Sequence, residues 1–325
     1  DMGNPRDLRE LGMVDLEDAR LPVTATKLSL LFGSLEFNAV AIHEIRANKT
    51  ASKGSEFDLY QSVRSLGIIV EDEEFPESKI ENTEYMLRFF KTFNGGDLGL
   101  MWADVYDDSA YVDFEKLAIN VPAIETELTV VPKHKRIKVF GISGVMVQES
   151  WLFKTELAKQ SNVAFLRSDI SDQLTALYLQ AVASSVLTAV YDEDSDIMET
   201  WIEKDVFHTM LGIEYSGFDD LTISVESVTE QIEDYDETVY SDEITSQLTL
   251  ILTHSALNDS LDTQFFWIHF YNNNGDVYRF NIAYDVSDDF TISGGFIAYE
   301  ASDDEASVYN FRDNDRVFVA FKYNF

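Results

Sequence analysis

The last ten residues, Arg316-Val317-Phe318-Val319-Ala320-Phe321-Lys322-Tyr323-Asn324-Phe325, decide the fold. Side chains on a strand alternate between faces. Val317, Val319, Phe321, Tyr323 and Phe325 therefore share one wholly apolar or aromatic face, while Arg316, Phe318, Ala320, Lys322 and Asn324 share the other. A strand of about ten residues with a terminal Phe suits a transmembrane β-strand whose outer face lies in lipid. An edge strand of a soluble sandwich alternates in the same way, so this stretch alone leaves both architectures open.

Composition narrows the choice. Acidic residues outnumber basic ones 59 to 24, a formal charge of -35, and a surface so acidic excludes nucleic acid as a partner. Aromatics make up 13% of the chain, which excludes a disordered acidic polymer. The acids must therefore sit on loops and the aromatics on strands. Cys is absent, excluding disulfides and thiolate metal sites. The longest weakly polar run, 174–190, is interrupted by Thr175, Gln180, Ser184, Ser185 and Thr188 and is too short for a membrane helix, so any crossing must use strands.

Working back from the C-terminus, alternating segments lie at 290–299, 277–286, 263–271, 244–254, 221–228 and 207–215, with no helical pattern between them. Further upstream, 151–158 pairs with 137–147, 98–106 with 84–93 through Asn94-Gly95-Gly96-Asp97, and 35–45 with 23–32 through Gly33-Ser34. Residues 46–82 read as a solvated loop, 107–131 as ambiguous with 124–131 able to form its own strand, and 160–205 as a long loop. Within that loop Leu174, Leu177, Tyr178, Ala181, Val182, Ser185 and Ala189 follow helical spacing and predict one short helix.

Periodicity cannot separate barrel from sandwich, but connection lengths can. Outer-membrane barrels have short turns on the periplasmic side and long loops outside, and here long acidic connections (301–315, 229–243, 159–206) alternate with short turns (287–289, 216–220, 148–150). The expected fold is all-β: a transmembrane antiparallel up-and-down barrel occupying residues 1–325 as one domain, with long acidic extracellular loops. Bacterial barrels of this kind close with an even number of strands. The segments number about thirteen, so about 14 or more strands are expected, with at least one preceding residue 1.

The stretches 15–22 (DLEDARLP), 101–108 (MWADVYDD), 212–218 (GIEYSGF) and 312–316 (RDNDR), with the terminal Phe-Lys-Tyr-Asn-Phe, resemble the proteobacterial outer-membrane family DUF1302. The resemblance implies an outer-membrane β-barrel and, for most members, a longer N-terminal part. It also implies a role in moving hydrophobic or lipid-like compounds, with RND-type exporters and periplasmic lipoprotein-like proteins as partners. It brings no catalytic or binding residues.

No nucleophile motif, P-loop or HExxH is present, and no enzyme activity is expected. No cofactor is expected either; the acidic clusters could hold Ca²⁺ or Mg²⁺ through oxygen ligands, although none has EF-hand spacing. On the assigned faces Glu214, Glu226, Arg279, Asp285, Arg316 and Lys322 point into the lumen, either as a field of mixed sign or as wall-stabilising ion pairs. Trp267, His269 and Tyr271 form an aromatic group on one face of their strand, either inward towards a solute or packed at the interface. Phe321, Tyr323 and Phe325 form a C-terminal signal for the barrel insertion machinery. The function expected is an outer-membrane channel or transporter of a Gram-negative bacterium, in contact with lipid and lipopolysaccharide, for hydrophobic or lipid-like compounds. The alternatives are a general diffusion porin and a secreted acidic β-protein such as a glycan-binding module.

Overall fold

Thirteen strands follow one another as hydrogen-bonded neighbours in a single antiparallel sheet. The computed structural model describes all residues except 1–4, 10–19, 66, 185, 193–196, 273, 303–305, 307 and 325, and the side chain of Ser62. The sheet begins with β1 (Ala25–Phe32) and β2 (Leu35–Ile42), and a small excursion of helix α1 (Gln61–Ser65) and β3 (Ile69–Val70) follows. β4 (Glu84–Phe93) and β5 (Gly96–Tyr106) extend the sheet; β6 (Tyr111–Asn120) and β7 (Glu125–Lys133) leave it; β8 (Arg136–Gln148) and β9 (Trp151–Leu166) resume it. Helix α2 (Ile170–Ala183) and β10 (Thr188–Asp192) form a second excursion. The meander then runs through β11 (Trp201–Phe218), β12 (Leu221–Ile232), β13 (Ile244–Ala256), β14 (Leu261–Phe270), β15 (Gly275–Ser287), β16 (Phe290–Ala301) and β17 (Arg316–Tyr323).

The thirteen strands coincide with the thirteen segments that sequence alternation marks. Two-residue turns such as Gly33-Ser34 and Asn94-Gly95 fix the register, with Gly33 at φ 61° and Gly95 at φ 86° supplying the left-handed backbone that tight hairpins need. All such turns lie at one end of the sheet and the long connections at the other. β1 and β17 both run from the long-connection end to the short-turn end, and no pairing between them is present among the described residues. The sheet is nevertheless curled. Phe57, from the connection after β2, packs in one buried cluster with Val277, Ile297 and Tyr299 of β15 and β16, joining opposite ends of the strand order.

The excursions form a small lobe at the long-connection end. β10, β6, β7 and β3 make a four-stranded sheet, with β3 parallel to β7, and α2 covers it. Leu117 and Ile119 are fully buried among Phe114, Leu128, Val130 and the α2 residues Leu174, Leu177, Tyr178 and Ala181. The 124–131 segment forms its own strand, as the sequence allowed, and pairs with β6, Pro132 included. Two expectations change here. Residues 46–82 are partly folded, with Phe57 and Asp58 buried. The loop expected over 160–205 is shorter, because β9 reaches Leu166 and β11 starts at Trp201. A register shift between Lys204 and Val206, opposite Asn162 at φ 70°, interrupts the alternation there and hides both strand ends.

Candidate functional site

The cross-strand registers sort every side chain of the large sheet onto one of two faces. On one face lie Leu98, Leu100 and Trp102 of β5, Phe140, Ile142 and Met146 of β8, Leu248, Leu250 and Leu252 of β13, and Val317, Val319, Phe321 and Tyr323 of β17. The side chains named from β5, β8 and β17 are exposed, the four from β17 between 64% and 84%, and the three Leu of β13 are half-buried between their neighbours. On β11 the band runs from Phe207 to Tyr215, about 26 Å at ~3.3 Å per residue. Tilting the strands by the roughly 40° of membrane barrels gives a height of about 20 Å. Towards the long connections it ends in polar groups: Asp104 with Arg136 at 2.5 Å, Lys159 with Asp205 at 3.0 Å and with Glu233, and Asp276 accepting from Trp267 Nε1 at 2.7 Å and contacting His269 at 3.0 Å.

The opposite face is concave, and all six of the charged residues expected in the lumen lie on it. They form three groups. Glu214 and Glu226 share Lys154, whose Nζ stands 3.8 Å and 3.1 Å from their carboxylates. Gly212 lies between Lys154 and Glu226 in the same row, and a Cβ there would sit 3.2 Å from Glu226 Cγ and 3.3 Å from Lys154 Cβ. The missing side chain lets the ion pair cross over β11. Arg279 and Arg316 flank Ile297 in a second row. Asp285 and Lys322 flank Thr291 in a third, near the short turns, with Thr291 Oγ1 donating to Asp285 at 2.5 Å.

The concave wall is apolar where β14 to β17 present Phe266, Ile268, Phe270 and Phe318 between these groups. Of the two readings open for the β14 aromatics, register selects packing away from the concave wall, with Trp267 and His269 on the opposite face beside Tyr278 and Asp276. Tyr271 lies in the turn beyond β14 and is exposed. Phe321 stacks with Phe290 on the uncovered face, their rings 6.4 Å apart, while Phe325 lies outside the described residues.

At the long-connection end of the concave wall, a cavity of about 340 Å³ is floored by Ile42, Val105, Ile137 and Val139 and ringed by Glu84, Asp107 and Asp108, with Arg6 above. Burial, with Glu84 and Asp107 as neighbouring negative charges, pushes the Asp108 carboxyl up to about 7. His134 contacts Glu73 at 2.8 Å and the Asp107 carbonyl at 2.7 Å. Burial works against its protonation, yet these partners together hold its pKa above the ordinary value. Sequence reading missed Lys154, Glu56, Phe57 and this acidic hollow, because each gains its meaning from a residue distant in the chain. Among the described residues no group of three or more His, Asp or Glu is placed to hold a metal ion.

The family model described as a protein of unknown function, DUF1302, matches residues 3–325, and the chain belongs to that family. No curated protein matches it. Among solved structures, a Pseudomonas aeruginosa FadL homologue aligns at TM-score 0.44 and 8% identity, over 92% of this chain and 75% of that one. A mutant of the Rh. blastica porin aligns at TM-score 0.42 and 10% identity, over 93% and 77%. The Pseudomonas putida toluene transporter TodX aligns at TM-score 0.37 and 14% identity, over 75% and 74%.

Proposed function

We propose that this DUF1302 chain is a Gram-negative outer-membrane β-barrel that passes hydrophobic or lipid-like compounds along its concave wall and does no covalent chemistry itself. The observation that carries the reading is the uncovered apolar band. Burial of apolar side chains drives folding in water, and a soluble protein rarely leaves a large contiguous apolar patch exposed. A band about 20 Å high with polar groups at its long-connection edge fits an outer-membrane barrel facing lipid, and it speaks against a secreted glycan-binding module. The apolar strip of Phe266, Ile268, Phe270 and Phe318 beside the charged rows supports an amphipathic passage.

The Lys154–Glu214–Glu226 group favours a second reading, a general diffusion porin with a polar lumen. Vesicles containing the protein separate the two. Uptake of an apolar fluorescent probe above that of protein-free vesicles, without swelling in sugars, supports the hydrophobic passage. Swelling in sugars with no gain in probe uptake overturns it in favour of the porin. Lipopolysaccharide around the band, the insertion machinery at Phe321 and Tyr323, and RND-type or lipoprotein partners at the short-turn end belong to the same proposal.

A further inference from the structure

The connection after β2 crosses from one end of the strand order to the other. Glu56 binds Arg316 at 3.0 Å, and its carbonyl accepts from Asn314 Nδ2 at 3.2 Å. The Arg316 guanidinium lies 4.5 Å over the Phe57 ring. Phe57, only 4% exposed, inserts beside Phe311 with ring centroids 5.2 Å apart and beside Tyr299 at 6.3 Å. These contacts hold the segment against the concave wall of β15 to β17, at the entrance to the apolar strip.

The segment is internally stiff. Asp58, its side chain 2% exposed, accepts from the Gly54 amide at 2.9 Å and the Tyr60 amide at 3.0 Å, and it binds Arg64 at 2.5 Å. Tyr60 and Val63 then pack on the core of the small lobe. Phe57 therefore stands on a braced turn tied to the lobe, while the clasp to Arg316 is ionic and, on the Glu56 side, solvent-exposed.

We propose that residues 51–58 form a latch across the mouth, with Phe57 as its bolt and Glu56–Arg316 as its clasp, and that the latch must lift from β15–β17 before a solute can pass along that wall. Arg316 in this account holds the latch shut and does not bind the solute. A screened, partly exposed pair is weak and salt-sensitive, so the clasp trims the open population while the bolt sets it. The consequence for passage rests on the channel reading; the latch itself rests on the contacts.

The chain has no Cys, so a single Val277→Cys change beneath Phe57 gives a clean reporter for a membrane-impermeant maleimide. Labelling should be slow in the otherwise natural chain. Phe57→Ala should speed it by about tenfold or more, as expected when a local opening becomes the dominant state. Glu56→Gln, a surface change that leaves the bolt and its contact with Arg316 in place, should speed it by about two- to fivefold at low salt and hardly at all at high salt. Arg316→Gln, which also removes the guanidinium over the Phe57 ring, should speed it by more and keep part of its effect at high salt. Equal labelling rates in all four proteins, each shown to be folded by heat-modifiable gel mobility, overturn the latch. Labelling that responds as stated while no variant takes up the apolar probe sinks the channel reading and leaves the latch standing.

Discussion

The large sheet and the small lobe are built from the same alternation of apolar and polar residues, and they dispose of it in opposite ways. In the lobe, the apolar faces of β6 and β7 close on α2, leaving Leu117 and Ile119 with no exposure. In the sheet, the apolar residues of β5, β8 and β17 point away from the concave wall and remain exposed, and the leucines of β13 on the same face are half-buried. One arrangement is complete in water and the other calls for an apolar solvent.

The comparison can be broken at the lobe first. Leu117→Ala should cost about 2–5 kcal/mol of local stability, as large-to-small changes in packed cores do. Hydrogen exchange in β6 and β7 reads this, while the gel mobility of the folded sheet stays unchanged. Loss of the sheet along with the lobe would show that the two are one cooperative unit.

Leu250→Arg places a charge in the uncovered band and should cost about 2–4 kcal/mol in urea unfolding from lipid vesicles if the site lies near the bilayer midplane. The same change at Thr253, exposed on the concave side of the same strand, should cost far less. Equal costs would erase the distinction between the faces.

The acidic hollow beside the lobe should respond to pH. Folded Asp108 holds its proton up to about 7, whereas the unfolded carboxyl releases it near the ordinary value of 3.8, so the folded state binds more protons between those limits. Its contribution is therefore fullest below 3.8 and is lost as pH rises towards 7. His134, also raised, contributes fully below its unfolded value of about 6.5 and loses that contribution as pH climbs through the folded one. Urea midpoints should rise as pH falls from 7 to 5, and Asp108→Asn should flatten the slope. An unchanged slope in that variant would remove Asp108 from the account.

The smallest effect belongs to the concave wall. Lys154→Gln should cost about 1 kcal/mol or less, as partly exposed ion pairs do. It should also shift the ion preference of reconstituted protein towards cations, since Glu214 and Glu226 lose the charge between them. Reversal potentials across a salt gradient measure this.

Much of the sheet was legible because strand alternation is local: each of the thirteen segments carries its own period, and the turns between them carry their own signals. The six charged residues of the concave wall were legible for the same reason. Their partners were not. Lys154 meets Glu226 only because Gly212 leaves room across an intervening strand, and Glu56 meets Arg316 across 260 residues. The lobe was hidden because its sheet pairs segments far apart in the chain, β3 with β7 and β10 with β6. β14 stayed undecided for a different reason. Phe265 and Trp267 on one face match Phe266, Ile268 and Phe270 on the other in apolarity, so only pairing with β13 and β15 assigns the sides.

A cysteine scan along β13 in lipid vesicles tests the central claim most directly. Single cysteines at Gln247, Ile251 and Thr253 face the concave wall, while those at Leu248, Leu250 and Leu252 face the band. Aqueous maleimide should label the first set and spare the second, giving a period of two along the strand. Equal labelling of both sets in vesicle-bound protein would place the band in water and contradict a sheet that crosses the membrane.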